Sequence, residues 1–133
     1  MKTFIFLLLL IVSTPVHAQN DSALPEPTQD PHATYRLFRT ANIYTFLKLD
    51  TRTGQIWQVQ WATDDQHRLS TVLSRTILVP VSKGEPQRVF EPGRFTLSPT
   101  TNIHTFVLLD TDDGRTWQVQ WGDEGHRLIL PID

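Results

Sequence analysis

The chain has 133 residues, no cysteine, and a formal net charge of −2 at pH 7. A length near that of one average domain provides for a single hydrophobic core, and without cysteine that core cannot be supported by disulfides. Because the balance is mildly acidic and no basic stripe is present, nucleic acid and an anionic membrane surface are excluded as expected partners.

The first 18 residues predict a secretory signal peptide. Lys2 supplies the positive charge, residues 4–12 form an unbroken apolar run, and small or apolar residues at 16 and 18 mark a cleavage site. The run is too short to remain as a membrane-spanning helix. We therefore expect cleavage after Ala18, export to the periplasm or the medium, and no membrane span.

Residues 19–33 are polar and contain Pro25, Pro27 and Pro31, which predicts a flexible leader. The remaining residues, 34–133, are expected to form a single β domain made of two repeats, at about 35–82 and 94–133. This division follows from the internal repetition of the chain.

A block of the sequence occurs twice at an offset of 60 residues, as NIYTFLKLDTRTGQIWQVQW at 42–61 and NIHTFVLLDTDDGRTWQVQW at 102–121. Apolar and polar residues alternate on both sides of a short loop that ends in glycine, a pattern typical of a β-hairpin. Three-residue loops at 52–54 and 112–114 would place Gly54 and Gly114 at positive φ. Asp50 and Asp110 are expected to accept backbone N–H groups of the turns.

This loop length predicts a pairing register. Leu49 would lie opposite Trp57, and Leu47 opposite Val59, so that one face of each hairpin carries all its tryptophans together with leucine and valine. We therefore predict that the four tryptophans lie in the core and do not form an exposed platform for sugar rings. The predicted core-facing residues are Leu47, Leu49, Trp57, Val59, Trp61, Val107, Leu109, Trp117, Val119 and Trp121.

Short strands are expected on both sides of each hairpin. Residues 35–37 and 95–97 precede the hairpins, and the similar strings ILVPV at 77–81 and LILPI at 128–132 indicate closing strands, which leaves nine extra residues in the first repeat. About eight short strands predict an all-β fold. We expect two pseudo-symmetric antiparallel four-stranded units packed as a sandwich or flattened barrel.

The pattern TFxxLDTxxGxxWQVQW, present twice after a signal peptide, resembles a group of uncharacterised exported bacterial proteins. This resemblance implies an envelope or secreted setting and no particular activity. Locally, the stretches 50–57 and 110–117 resemble the repeat of quinoprotein-type β-propellers. Because a propeller needs about 4–8 blades, that resemblance implies that a closed ring would require self-assembly, and it implies no cofactor.

Glutamines on the face opposite the predicted tryptophan face are the candidate ligand-binding residues. A side-chain amide offers both a donor and an acceptor to a sugar or a peptide, although polar alternation on a half-buried sheet also explains them. Lys48 breaks the symmetry of the repeats, because the second repeat has Leu108 there. The predicted ligand-binding residues are Lys48, Gln58, Gln60, Gln118 and Gln120.

The sequence contains no recognisable catalytic or metal-binding constellation. His67 and His126 follow acidic residues, but one histidine in each repeat falls short of the three or four ligands of a typical metal site. We expect a non-enzymatic binding or envelope-structural module without a cofactor, recognising a glycan, a peptide or a protein, and existing as a monomer or weak homo-oligomer. The alternatives are a small hydrolase or inhibitor acting through the His/acidic loops, or a self-assembling propeller-like oligomer.

Overall fold

The fold is all-β, with two four-stranded antiparallel sheets. A computed structural model describes residues 25–79 and 90–132; the predicted signal peptide and residues 19–24 of the predicted leader lie outside the described residues. The first sheet has the order β1-β2-β3-β4 and the second β5-β6-β7-β8, and neither closes into a barrel. The predicted architecture of two four-stranded units, with a sandwich as one of its two forms, is confirmed. The strands are β1 (Tyr35–Arg39), β2 (Thr45–Asp50), β3 (Ile56–Gln60), β4 (Leu69–Val72), β5 (Phe95–Pro99), β6 (Thr105–Asp110), β7 (Thr116–Gln120) and β8 (Leu128–Ile132).

The only helical element in the described ranges is a three-residue 3₁₀ turn, Glu124–His126, before β8. Within those ranges no helix has the length and apolar character needed to cross a membrane.

The hairpin register predicted from the sequence is wrong by one residue. Lys48 lies opposite Trp57 and Leu47 opposite Gln58, and the second hairpin has the same pairing. The loop contains four residues, because the Asp50 N–H donates to Gln55 O at 2.9 Å and the Gly54 N–H donates back to Asp50 O at 2.9 Å. Since side chains alternate along a strand, this shift moves every tryptophan to the face that carries Lys48.

The turn chemistry itself is confirmed in both hairpins. Gly54 has φ 78° and Gly114 has φ 79°, conformations that glycine adopts without steric cost. One carboxylate oxygen of Asp50 accepts the Arg52 N–H at 3.0 Å, and Asp110 accepts the Asp112 N–H at the same distance. These Asx contacts stabilise the tight turns.

The closing strand of the first repeat is also placed differently from the sequence prediction. It is β4, which pairs Leu69 with Gln60, just as β8 pairs Leu128 with Gln120. Of the predicted strand 77–81, residues 77–79 belong to no strand, and residues 80 and 81 lie outside the described residues; Leu78 is buried while Ile77 is exposed. The similarity between ILVPV and LILPI was therefore misleading, and the nine-residue insert does not exist as predicted.

Each sheet has two faces that can be compared between the repeats. We call the face that carries Leu47 and Ile56 in the first sheet, and Val107 and Thr116 in the second, the front. The back is the other face, and positions 60 residues apart share a face because the two registers are identical. The back carries Phe46, Lys48, Trp57, Val59 and Trp61 in the first sheet, and Phe106, Leu108, Trp117, Val119 and Trp121 in the second.

The two repeats bury opposite faces. The first sheet contributes its front to the core, with Leu47, Leu49 and Ile56 fully buried. The second contributes its back, with Leu108 and Val119 fully buried. Burying one such side chain contributes about 1.5–3 kcal/mol. The core residues are Phe38, Leu47, Leu49, Ile56, Leu73, Leu78, Phe95, Leu97, Phe106, Leu108, Trp117, Val119, Trp121 and Ile129.

The sheets therefore stack front to back, whereas a pseudo-two-fold sandwich would bury the same face of both. As a consequence, the prediction that four tryptophans lie in the core is correct for Trp117 and Trp121 only. Trp57 is half-buried, and Trp61 is 48% exposed.

Polar contacts join the end of the first hairpin to the start of β5. The fully buried Thr51 accepts the Phe95 N–H on its carbonyl oxygen at 2.8 Å and the Gly93 N–H on its hydroxyl at 3.0 Å. The same hydroxyl donates to Ala33 O at 2.8 Å. Thr51 thus joins the first turn to Gly93 and Phe95 at the start of β5, and also to Ala33 before β1.

Residues 25–33, the described part of the predicted leader, contact the outer edge of β1. The Leu37 N–H donates to the Thr28 hydroxyl at 3.2 Å, and the Arg39 N–H donates to a Glu26 carboxylate oxygen at 3.1 Å. These contacts satisfy backbone donors of an edge strand that would otherwise be open to pairing with another chain.

Candidate functional site

A cleft of about 730 Å³ lies at the end of the sandwich. Its walls come from the core-facing front of the first sheet and from the β5–β6 turn, the end of β7 and the following loop of the second. This volume lies within the range of small-molecule pockets, about 300–1,000 Å³. The cleft is lined by Ala41, Asn42, Thr45, Gln58, Gln60, Ile103, His104, Gln120, Trp121, Gly122, Asp123 and His126.

Three of the five predicted ligand-binding residues line this end cleft: Gln58, Gln60 and Gln120. The repeat places the two outer glutamines at the last residues of β3 and β7. Gln60 donates from Nε2 to His67 O at 3.1 Å, which leaves its amide oxygen available as an acceptor. In the described part of the chain, no hydrogen bond involves the Gln120 amide, so both its donor and its acceptor can serve a ligand.

Gln58 has a structural role in the cleft. It is buried, and its amide oxygen accepts the Gly122 N–H at 3.0 Å and the Arg127 Nε–H at 3.4 Å. Arg127 in turn donates to Gly122 O at 2.9 Å. The Gln58 amide therefore joins the first sheet to the loop after β7 and holds the floor of the cleft in place.

The other two predicted residues lie elsewhere and on different faces. Lys48 is on the exposed back of the first sheet, with its ammonium 4.6 Å from the centroid of the Trp57 ring and 5.9 Å from that of Tyr35. Gln118 is on the exposed front of the second sheet, between Val107 and Leu130. The five residues thus do not form one site.

The sequence reasoning missed the contributions of His104, Trp121, Asp123 and His126 to the cleft. His104 lies against Trp121 with ring centroids 4.9 Å apart and the ring planes tilted by 49°, and the Trp121 indole N–H donates to Ile103 O at 3.1 Å. The repeat did offer a signal, because His104 takes the position of Tyr44, which lies against Trp61 in the same tilted way at 5.1 Å. What the repeat did not indicate is that only the second ring pair lines the cleft.

The cleft lining has little formal charge. Asp123 is the single carboxylate among the lining residues, and no lysine or arginine is present. The charged networks lie at the hairpin turns instead. Such a lining suits an uncharged, hydrogen-bonding ligand better than a phosphate or a carboxylate.

The buried carboxylate of Asp110 is explained by an ion pair at the hairpin turn. It accepts two hydrogen bonds from Arg94, at 2.9 and 2.8 Å, and is fully buried. The hydrogen bond to Asp110 raises the pKa of the Arg94 guanidinium above its ordinary value. In the first repeat Asp50 is paired with Arg52 at 2.8 Å. Both aspartates therefore stabilise turns, as predicted.

The acidic loops contain one close histidine–carboxylate pair. Nδ1 of His67 lies 2.7 Å from Asp64, and both side chains are mostly exposed. Among the hydrogen bonds of residues 25–79 and 90–132, none joins Nε2 of His67 to a serine or threonine hydroxyl. Over the same ranges no three histidine, aspartate or glutamate side chains come close enough to hold a metal ion.

Comparison with known proteins gives no further assignment. No protein-family model matches the chain, and no curated protein or solved structure shows significant similarity to it.

Proposed function

We propose that the chain is an exported, non-enzymatic binding module and that its ligand is a neutral oligosaccharide held in the end cleft. The observation that carries this proposal is that Gln60 of the first sheet and Gln120 of the second both line a cleft of about 730 Å³. Each sugar hydroxyl can donate and accept a hydrogen bond, and a side-chain amide carries both an acceptor and a donor to match it.

The remaining lining residues support the same ligand class. The exposed His104 ring, which lies against the buried Trp121 with the centroids 4.9 Å apart, gives one wall a ring face suited to the C–H face of a sugar ring. Thr45 and Asn42 add neutral polar groups from the first repeat. A peptide ligand would use the same amides, but it would also require pockets for alternate side chains.

The binding test compares two glutamines of the same strand. Calorimetric titration with soluble cello-, chito- and malto-oligosaccharides should reveal at least one ligand. Gln120→Ala should then weaken binding about 3- to 10-fold, the value of one hydrogen bond of about 0.5–1.5 kcal/mol. Gln118→Ala is the matched control, because Gln118 lies on the same strand and the same face as Gln120 but does not line the cleft, and it should leave the affinity unchanged.

Three results would contradict the proposal. Equal weakening by both variants would move the ligand to the front of the second sheet. Binding of peptides from a library in preference to every oligosaccharide would mean that the ligand is a peptide. Shortening of the oligosaccharide during long incubation, detected by mass spectrometry and lost on substitution of His67 or His126, would favour a hydrolase.

A further inference from the structure

The front-to-back stacking leaves one face of each sheet without a partner in the chain. The back of the first sheet exposes Tyr35 and Trp61 at 49% and 48%, next to the half-buried Trp57. The front of the second sheet exposes Leu130 and Ile132 at 52% and 49%. Apolar side chains that are exposed on one face of a sheet are typical of an interaction site.

Both uncovered faces are counterparts of faces that are buried within the same chain. Phe46 and Val59 correspond to Phe106 and Val119, which lie in the core. On the other sheet, Val107 and Leu109 correspond to Leu47 and Leu49, which are fully buried. Apolar residues are thus kept at positions that the single chain leaves only half-buried. The four pairs of equivalent positions are Phe46/Phe106, Val59/Val119, Leu47/Val107 and Leu49/Leu109.

We propose that a second copy of this chain covers these faces, head to tail. The front of the second sheet in one copy packs on the back of the first sheet in the next, and so repeats the contact that already joins the two sheets within the chain. Such an interface is heterologous, with a different surface on each partner. It either closes into a ring or continues as an open stack.

Two polar substitutions distinguish the proposed interface from the internal one. Lys48 stands where the second repeat has the buried Leu108, and Thr116 stands where the first has the buried Ile56. Burying the Lys48 ammonium costs solvation, although its position over the Trp57 ring offsets part of that cost. The association is therefore weaker than the internal packing, and Lys48 is the residue that limits it.

The first test is the mass of the chain in solution. Sedimentation equilibrium at concentrations up to about 1 mM should show a weight-average mass that rises with concentration. Lys48→Leu should move the midpoint of this rise to a concentration at least tenfold lower. If both proteins stay monomeric over this range, the proposal is overturned, and an oligosaccharide that then protected Trp57 from quenching would assign the face to a glycan.

The second test separates head-to-tail packing from a symmetric dimer. In the Lys48→Leu background, Phe46→Asp blocks the back of the first sheet and Val107→Asp blocks the front of the second. Each variant alone should be monomeric, and an equimolar mixture should give a one-to-one dimer that grows no further. Self-association of either variant alone would overturn the head-to-tail arrangement.

Folding of the variants is checked independently. Both substitutions lie on uncovered faces, so the far-ultraviolet circular dichroism and the melting temperature should stay close to those of the parent. Leu130→Asp, at an exposed position of β8, repeats the block of the second sheet at a second residue and should give the same result as Val107→Asp. If Leu130→Asp left self-association intact, the front of the second sheet would not be the interface.

Discussion

The hairpin of the first repeat buries Leu47 and Ile56, while that of the second buries Phe106 and Trp117, which lie on the opposite face. The two hairpins share a turn, a register and most of their residues. Local sequence therefore sets the shape of each hairpin, and the order of stacking decides which of its two faces becomes core. The same residue type therefore has a different environment in each repeat, and a candidate site in one repeat need not occur in the other.

The largest expected effect comes from removing equivalent phenylalanines. Phe106→Ala should lower the free energy of unfolding by about 3–5 kcal/mol, because it opens a cavity in the core. Phe46→Ala, at the uncovered back of the first sheet, should cost less than about 1.5 kcal/mol. Urea unfolding of both variants at a concentration where the chain is monomeric measures the difference. Equal losses would mean that both backs are buried.

The arginines at the two turns provide the next comparison. Arg94→Ala removes both hydrogen bonds that Arg94 donates to the buried Asp110 carboxylate, which then keeps only the Asp112 N–H at 3.0 Å and Arg115 at 3.5 Å, and should cost about 3 kcal/mol. Arg52→Ala should cost clearly less, since its side chain is 37% exposed and water can replace it beside Asp50. Thermal unfolding of the two variants shows which of the two ion pairs contributes more to stability. A larger loss for Arg52→Ala would contradict the assignment of Asp110 as the buried partner.

The two turn glycines have the same backbone conformation but different neighbours, so their substitution tests the packing around each turn. Gly54 and Gly114 have nearly the same positive φ, but a Cβ at Gly54 would lie 3.0 Å from atoms of Leu78 and Phe95, whereas nothing lies within 4 Å at Gly114. Gly114→Ala should therefore cost about 1–2 kcal/mol from the backbone alone. Gly54→Ala should cost about 1–3 kcal/mol more through overpacking. Equal melting temperatures for the two variants would contradict the contact between the first turn and the second sheet.

Much of the fold could be predicted from the sequence because the repeat constrains it. The hairpins, the positive φ of Gly54 and Gly114, and the turn role of the two aspartates all follow from local chemistry. The register was missed because Asp50 and Gln55 form the last pair, so the loop has four residues. A glycine at the end of a loop is compatible with both loop lengths, and the difference of one residue exchanges the faces.

The candidate site was less predictable than the fold. Each hairpin carries apolar residues on both faces, such as Phe46 and Val59 on one and Leu47 and Leu49 on the other, so that patterning alone could not select the core. Three of the five predicted ligand-binding residues line the cleft, but Lys48 lies on the opposite face of the first sheet, and Gln118 lies farther along β7 from the end that forms the cleft. His104 and His126 line the cleft from loops, and only the tertiary structure determines where these loops lie.

Quenching of tryptophan fluorescence by acrylamide tests the front-to-back stacking most directly. At a dilution where the chain is monomeric, the structure predicts two classes of emission: a quenchable one from Trp57 and Trp61, and a blue-shifted, protected one from Trp117 and Trp121. The double variant Trp57→Phe/Trp61→Phe should lose the quenchable class and keep the protected class. Uniform protection of all four tryptophans in the wild-type chain, or a quenchable class that survives in the double variant, would contradict the account.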